Sequence, residues 1–157
     1  EVQRRHSERQ RQMMELADDP LGERKRDKPQ DPLDAMAQGL RAEDPARRMG
    51  AAYDLGALGK AGAVGPLMGC LTDDDAGVRR AAARALVRLA GQGISVDPAP
   101  VLRLLSHRDA GVREAAAVVL GGFGAEEARE PLEAAAEHET HAPTRAAMDK
   151  ALERIGK

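Results

Sequence analysis

The chain has 157 residues and carries 24 lysines and arginines against 26 aspartates and glutamates, which gives a formal charge of −2. Hydrophobic residues make up 42% of the chain but include one Tyr, one Phe and no Trp, so any core must be built mainly from Ala and Leu. Such a core favours closely packed helices. It speaks against a β-sandwich and against an aromatic-lined pocket for a small molecule.

Residues 1–30 differ in composition from the rest of the chain. They hold 15 charged side chains, eight basic and seven acidic, and few large aliphatic ones. This composition is typical of a solvated arm or linker. A stripe of Met13, Leu16 and Ala17 leaves a second interpretation open. In it, these residues belong to a short helix that docks on a partner or caps the first of the repeats that begin at residue 31. We therefore divide the chain into a charged arm, residues 1–30, and a folded region, residues 31–157.

The chain carries no sign of export or of membrane insertion. Its first 30 residues contain no apolar stretch like that of a signal peptide, and its longest apolar runs are well short of the roughly 18 residues of a membrane helix. Cys70 is the single cysteine and cannot form an internal disulfide. We therefore expect a cytoplasmic protein.

From residue 31 onward the sequence repeats. Four segments align on an arginine, with spacings of 31, 34 and 32 residues. Apolar residues recur three, seven and ten positions past each arginine, which is the pattern of one face of an α-helix, here called the A helix. An aspartate precedes three of these helices as an N-terminal cap, and a glycine follows each as a stop signal. The arginines are Arg48, Arg79, Arg113 and Arg145; the aspartates are Asp44, Asp75 and Asp109; the glycines are Gly59, Gly91, Gly124 and Gly156.

A second helix, the B helix, is predicted in each unit. Pro66, Pro100 and Pro131 stand at matching places, where proline suits a first helical turn. One repeat earlier, the segment from Pro32 to Ala42 has the same pattern and is interpreted as the B helix of a preceding unit. The pattern predicts seven helices of about 14 residues, or eight if the arm contributes one.

These units resemble the HEAT repeat, and in particular the short bacterial form known as PBS-lyase HEAT-like repeats. The resemblance covers residues 31–157 and rests on the starts of the units, on their Ala-Ala-x-x-Leu cores and on their Leu-Gly ends. The matching starts are Asp75/Val78/Arg79 and Asp109/Val112/Arg113. The resemblance implies an all-α, right-handed solenoid of three to four helical hairpins, whose B helices line the concave face. It also implies that the repeated arginines pair with acidic residues between neighbouring units.

No group of residues predicts catalysis, a cofactor or a metal ion. His138, Glu139 and His141 fall at a turn between repeats and lack the His-Glu-x-x-His spacing of a zinc site. Iron-dependent hydroxylases built on HEAT repeats carry His-Glu pairs early in their A helices, where this sequence has Arg79 and Arg80. We therefore expect a protein that is not an enzyme and that needs neither cofactor nor metal.

The outward positions of the B helices form the predicted partner site. The resemblance implies that they make up the floor of a concave groove, which is apolar at the first unit and acidic at the last. These positions hold Met68, Leu102, Arg103, Glu130, Glu133 and Glu137. The sequence thus predicts a scaffold or adaptor that binds a protein or peptide, and the acidic end favours a basic segment.

Two other functions stay open. Arg80, Arg84 and Arg88 lie on one stripe of an A helix and could contact the phosphates of a nucleic acid. Against this, the chain is net acidic and has no aromatic side chains placed for base stacking. The other alternative is a lyase-like or chaperone-like role acting on another protein.

Overall fold

The computed structural model describes residues 31–156, and the predicted arm lies outside them. Within this range all regular structure is helical, with eight α-helices and no strand. They are α1 (Pro32–Gly39), α2 (Pro45–Leu58), α3 (Val64–Gly69), α4 (Ala76–Gly91), α5 (Ala99–Leu104), α6 (Ala110–Phe123), α7 (Arg129–His138) and α8 (Ala142–Ile155). The even-numbered helices are the A helices and the odd-numbered ones are the B helices. None of the described helices is both long and apolar enough to cross a bilayer.

The structure corrects the predicted helix count and the predicted length of the B helices. The count of seven was wrong, because the described residues alone hold four A helices and four B helices, with the predicted helix at Pro32 (α1) among them. The A helices have 14 to 16 residues, close to the prediction. By contrast, α3 and α5 have 6 residues each, and short 3-10 turns at Ala61–Ala63, Cys70–Thr72 and Glu126–Ala128 account for part of the remaining B segments.

The A helices begin at the predicted aspartates. The carboxylates of Asp44, Asp75 and Asp109 accept hydrogen bonds of 2.9, 3.0 and 3.1 Å from main-chain N–H groups in the first turn of α2, α4 and α6. These bonds satisfy donors that have no partner within the helix. The N-terminal caps predicted from the repeat are therefore confirmed.

Two of the four predicted glycine stops are confirmed. Gly59 and Gly124 end α2 and α6 with φ angles of 68° and 63°, in the left-handed region that glycine enters without strain. Gly91 instead lies inside α4, and Gly93 takes the left-handed conformation with φ 84°. Gly156 follows α8 with an ordinary φ of −83°. At the end of α4 the hydrogen bond from Ile94 N–H to the Leu89 carbonyl, 3.1 Å long, closes a Schellman turn two residues later than predicted.

The A helices lie side by side in chain order, and each B helix packs against the A helix that follows it. Small residues bring the A helices close together. A Cβ atom at Gly121 would lie 2.6 Å from the Cα of Ala151, and one at Gly56 would lie 2.8 Å from the Cβ of Ala85. Leu86, in the middle of α4, is 0% exposed, as its place in the repeat predicts. The core therefore runs along the array between the two rows of helices.

Candidate functional site

Two of the four repeated arginines form close ion pairs between neighbouring units, as the resemblance implied. The guanidinium of Arg48 donates to both carboxylate oxygens of Asp73 at 2.8 and 2.9 Å, and Arg113 does the same to Glu139 at 2.6 and 2.9 Å. Each arginine also donates from Nη1 to two main-chain carbonyls just before its own helix. Arg145 makes no ion pair with any residue from 31 to 156. Arg48 and Arg113 therefore link neighbouring units of the array.

The middle arginine makes a weaker link. Asp73 and Glu139 each accept a main-chain N–H two residues later, whereas His107 occupies the equivalent place before α6 and accepts from Asp109 N–H through its Nδ1. Arg79 therefore finds no carboxylate there. Its Nη2 lies 3.8 Å from Asp109 instead. The row of ion pairs between repeated arginines and carboxylates is here called the arginine ladder. His107 stands where a carboxylate would be, which explains why the ladder is interrupted between α4 and α6.

The segment that carries His138, Glu139 and His141 has a structural role. The hydrogen bond from Arg113, against the opposing effect of burial, lowers the pKa of Glu139 to about 2. The Nδ1 of His141 lies 2.9 Å from the Oγ1 of Thr144, which donates to a carbonyl of α6 at 3.0 Å. In the part of the chain that the structure describes, no group of His, Cys, Asp and Glu side chains could hold a metal ion.

A groove of about 750 Å³ lies along three A helices, α4, α6 and α8. Because α6 packs between the other two, it forms the floor, and α4 and α8 form the walls. Of the seven α6 residues that line the groove, five are Ala or Gly, so the floor is made mainly of short side chains and main chain. Another protein segment can approach such a surface closely.

The walls of the groove are basic. Arg80 and Arg84 project from α4, Lys150 and Arg154 from α8, and all four are exposed. Five basic side chains line the groove against two acidic ones. Of the two, Asp109 already faces Arg79 in the ladder, which leaves the half-buried Glu114 on the floor. Positive charge therefore borders a small-residue floor on two opposite sides.

The sequence analysis missed this groove, although a signal for it was present. Arg84 and Lys150 each stand five residues past a repeated arginine, and both belong to a basic pair with a spacing of four. The same position in α2 holds Tyr53, the exposed large hydrophobic residue of the described range, at 45% exposure. The HEAT resemblance implies a partner site on the B helices, and the sequence analysis predicts an outward basic stripe only for α4.

The predicted partner residues lie on the B helices, away from the groove. Met68 and Leu102 are half-buried and pack against the core, which accounts for their apolar character. Arg103 on α5 is exposed, as are three glutamates of α7. These glutamates are Glu130, Glu133 and Glu137. None of the six residues lines the groove, and their part in partner binding stays a prediction.

The lining of the groove is poor in nucleophilic side chains. It contains no Ser, Thr, Cys or Tyr side chain, and the Nδ1 atom of its one histidine, His141, is engaged by Thr144. Cys70 is buried elsewhere, and burial raises the pKa of its thiol.

Taken together, the two rows of antiparallel helices, the capped A helices and the arginine ladder define an α-helical repeat protein. The family model for HEAT repeats matches residues 14–87, 33–102 and 98–153. The chain belongs to the HEAT-repeat family. No curated protein matches it.

Solved structures share this fold. A chain from the complex of CpcE and CpcF of phycocyanin lyase from Nostoc sp. PCC7120 is 26% identical, with a TM-score of 0.61 over 84% of this chain and 56% of that chain. The present chain thus spans little more than half of that relative's length. Two engineered proteins, 22% and 24% identical with TM-scores of 0.50 and 0.51, are matched over 80% of this chain and 62% and 64% of theirs. They are similar in fold alone.

Proposed function

We propose that this chain is a protein-interaction module and that a segment of its partner lies in the groove formed by α4, α6 and α8. The observation that carries the proposal is a cavity of about 750 Å³ floored by small residues. Short side chains let a partner's main chain and side chains come into close contact, and the charged walls orient it. Similarity to a chain from a two-protein complex supports the same proposal.

The outward B-helix residues are proposed as a second contact surface. Glu130, Glu133 and Glu137 lie on one exposed helix, α7, and their charge would attract a basic segment of the partner. Reversal of these three charges with Lys should slow association at low salt without a change in helicity, if this surface contributes. Equal binding by the triple variant would confine the contact to the groove.

Site-specific photocrosslinking tests the function. A photoreactive amino acid replaces Ala146, an exposed residue of the groove, or Ala134, an exposed residue of α7. Neither site is buried, so the fold should tolerate both. In an extract of the native cells we expect a discrete protein adduct from Ala146. A lack of protein adducts at both positions would contradict an interaction module.

A lyase-like role is the second candidate, and the similarity to the phycocyanin lyase complex favours it. A groove of this volume is within the range of small-molecule sites. Its lining contains no aromatic side chains, which argues against tight binding of a bilin, which is a tetrapyrrole. The test is to mix the chain with a bilin and a phycocyanin apoprotein and to measure covalently bound chromophore on a denaturing gel. Chromophore transfer above the uncatalysed level would establish this role.

A further inference from the structure

We propose that the groove binds an acidic amphipathic α-helix of the partner protein. This inference rests on the proposed function and adds the chemistry of the segment that is bound. It is carried by three features of the groove: its width, the arrangement of its charges and the character of its floor.

The width of the groove fits one helix. Packed helices lie about 8–10 Å apart, so α4 and α8, with α6 between them, have axes about 16–20 Å apart at most. An α-helix with its side chains is about 10–12 Å in diameter. A single helix can therefore lie over α6 and contact both walls at once, whereas a folded domain could only rest on the rims.

The charges of the groove fit a helix with acidic flanks. On each wall the two basic residues are separated by four positions, Arg80 and Arg84 on α4 and Lys150 and Arg154 on α8. Side chains with this spacing lie on one face of a helix, one turn apart. Glutamates at a spacing of four on each side of a bound helix would face them. Complementary charges of this kind speed association and fix the orientation of the bound segment.

The floor of the groove favours a protein helix over a nucleic acid. Its small apolar residues on α6, such as Ala110, Ala115 and Val118, match the apolar underside of an amphipathic helix. Glu114 stands on the floor between the basic walls, where it would repel phosphates. No aromatic side chain lines the groove, so it lacks the stacking surface that single-stranded nucleic acids require.

Binding of a designed peptide tests the proposal. The probe is a labelled helical peptide of about 18 residues, long enough to fold as a helix, with Ala and Leu along one face and Glu on both flanks. The same peptide with Lys in place of Glu is the charge control, and a generic DNA duplex is the nucleic-acid control. Affinities are measured by fluorescence anisotropy in about 0.05 M and about 0.5 M salt, because screening weakens charge contacts.

Two double variants with the same change in charge locate the site. Arg84→Glu with Lys150→Glu reverses one residue on each wall of the groove. Arg88→Glu with Arg145→Glu reverses one exposed residue on each of the same helices outside the groove. We expect the first variant to weaken binding of the acidic peptide about tenfold or more, and the second to change it less than about twofold. Circular dichroism should show equal helicity in both.

Several results would overturn the proposal. The proposal is wrong if the acidic peptide binds no better than its lysine counterpart. It is also wrong if both double variants lose the same affinity for the acidic peptide. Tighter binding of the DNA duplex through Arg84 and Lys150 would assign the groove to a nucleic acid. Self-association that the groove variant abolishes, seen by sedimentation, would assign it to a second copy of the chain. If the acidic peptide does not bind while the photoreactive residue at position 146 still crosslinks to a protein, the proposed interaction function is retained. Only the proposal that the bound segment is an acidic helix is then wrong.

Discussion

Arg113 donates two hydrogen bonds to the buried carboxylate of Glu139, one of 2.6 Å from Nε and one of 2.9 Å from Nη2. The pair joins α6 to the turn that precedes α8. Because the side chains of Arg113 and Glu139 are only 19% and 2% exposed, water cannot readily replace either partner. Removal of one therefore leaves a poorly solvated charge on the other.

The first prediction is that Glu139→Gln destabilises the array. The substitution keeps the shape of the side chain but removes the charge that Arg113 contacts. We expect a loss of about 1–3 kcal/mol in the free energy of unfolding at pH 7. Chemical denaturation followed by circular dichroism measures it. Glu137→Gln, on an exposed glutamate of α7, is the matched control and should have little effect.

The stabilisation that Glu139 gives to the parent chain should depend on pH. The pKa of Glu139 is about 2 in the folded chain, against an ordinary value of 4.5. A lowered pKa means that the stabilisation is complete above about pH 4.5 and is lost as the pH falls from there towards 2. The difference in stability between the parent chain and Glu139→Gln should therefore shrink over this interval. A difference that stays constant down to pH 3 would show that the charge of Glu139 does not stabilise the fold.

A second prediction concerns the interrupted ladder. His107→Asp places a carboxylate where Asp73 and Glu139 stand in the neighbouring units, within reach of Arg79. We expect the free energy of unfolding to rise by about 0.5–1.5 kcal/mol at pH 7. His138→Asp, on an exposed histidine of α7, should bring no such gain. If His107→Asp instead destabilises the chain, the equivalence of these positions is wrong.

Repeat spacing made most of the array predictable. The positions of Arg48, Arg79 and Arg113 predict where A helices begin. The apolar residues that follow predict the buried face of each helix, because this face depends on local helix geometry. The end of α4 was not predictable in the same way. Gly91 and Gly93 are both able to stop a helix, and only the packing of Ile94 and Val96 against the core decides between them.

The groove was harder to predict because it depends on three helices that are far apart in sequence. Arg84 and Lys150 are visible in the sequence as members of basic pairs, but their convergence over α6 follows from how closely the A helices pack. That packing rests on contacts such as Gly121 against Ala151. The predicted residues Met68 and Leu102 illustrate the converse. They are predicted to face outward, and the structure shows both half-buried, with part of each side chain packed against the core.

A third prediction tests the register of the buried faces. Leu86 is 0% exposed at the centre of the array, so Leu86→Ala should lower the free energy of unfolding by about 2–5 kcal/mol through lost burial and the cavity left behind. Arg84→Ala, on the exposed face of the same helix, serves as the control and should change it by less than about 0.5 kcal/mol. A loss below about 1 kcal/mol in Leu86→Ala would contradict this register.

A fourth prediction tests the close approach of α6 and α8. In Gly121→Ala the new Cβ would lie 2.6 Å from the Cα of Ala151, so the helices must separate, at a cost of about 1–3 kcal/mol. Gly50→Ala is the matched control inside α2, where a Cβ meets no atom within 4 Å. It should stabilise the chain by about 0.5–1 kcal/mol because alanine favours the helix. Thermal unfolding should shift in opposite directions in the two variants, and a shift in the same direction would contradict the packing described.

The location of the binding site is tested by titrating the partner captured by crosslinking against two bulky variants. Ala146→Trp places a large side chain in the groove from its α8 wall, and Ala134→Trp places the same side chain on the exposed face of α7. We predict that Ala146→Trp weakens binding about tenfold or more, whereas Ala134→Trp, on the proposed second contact surface, weakens it less. Full affinity in Ala146→Trp together with a loss in Ala134→Trp would contradict the groove as the binding site and would place the partner on the B helices.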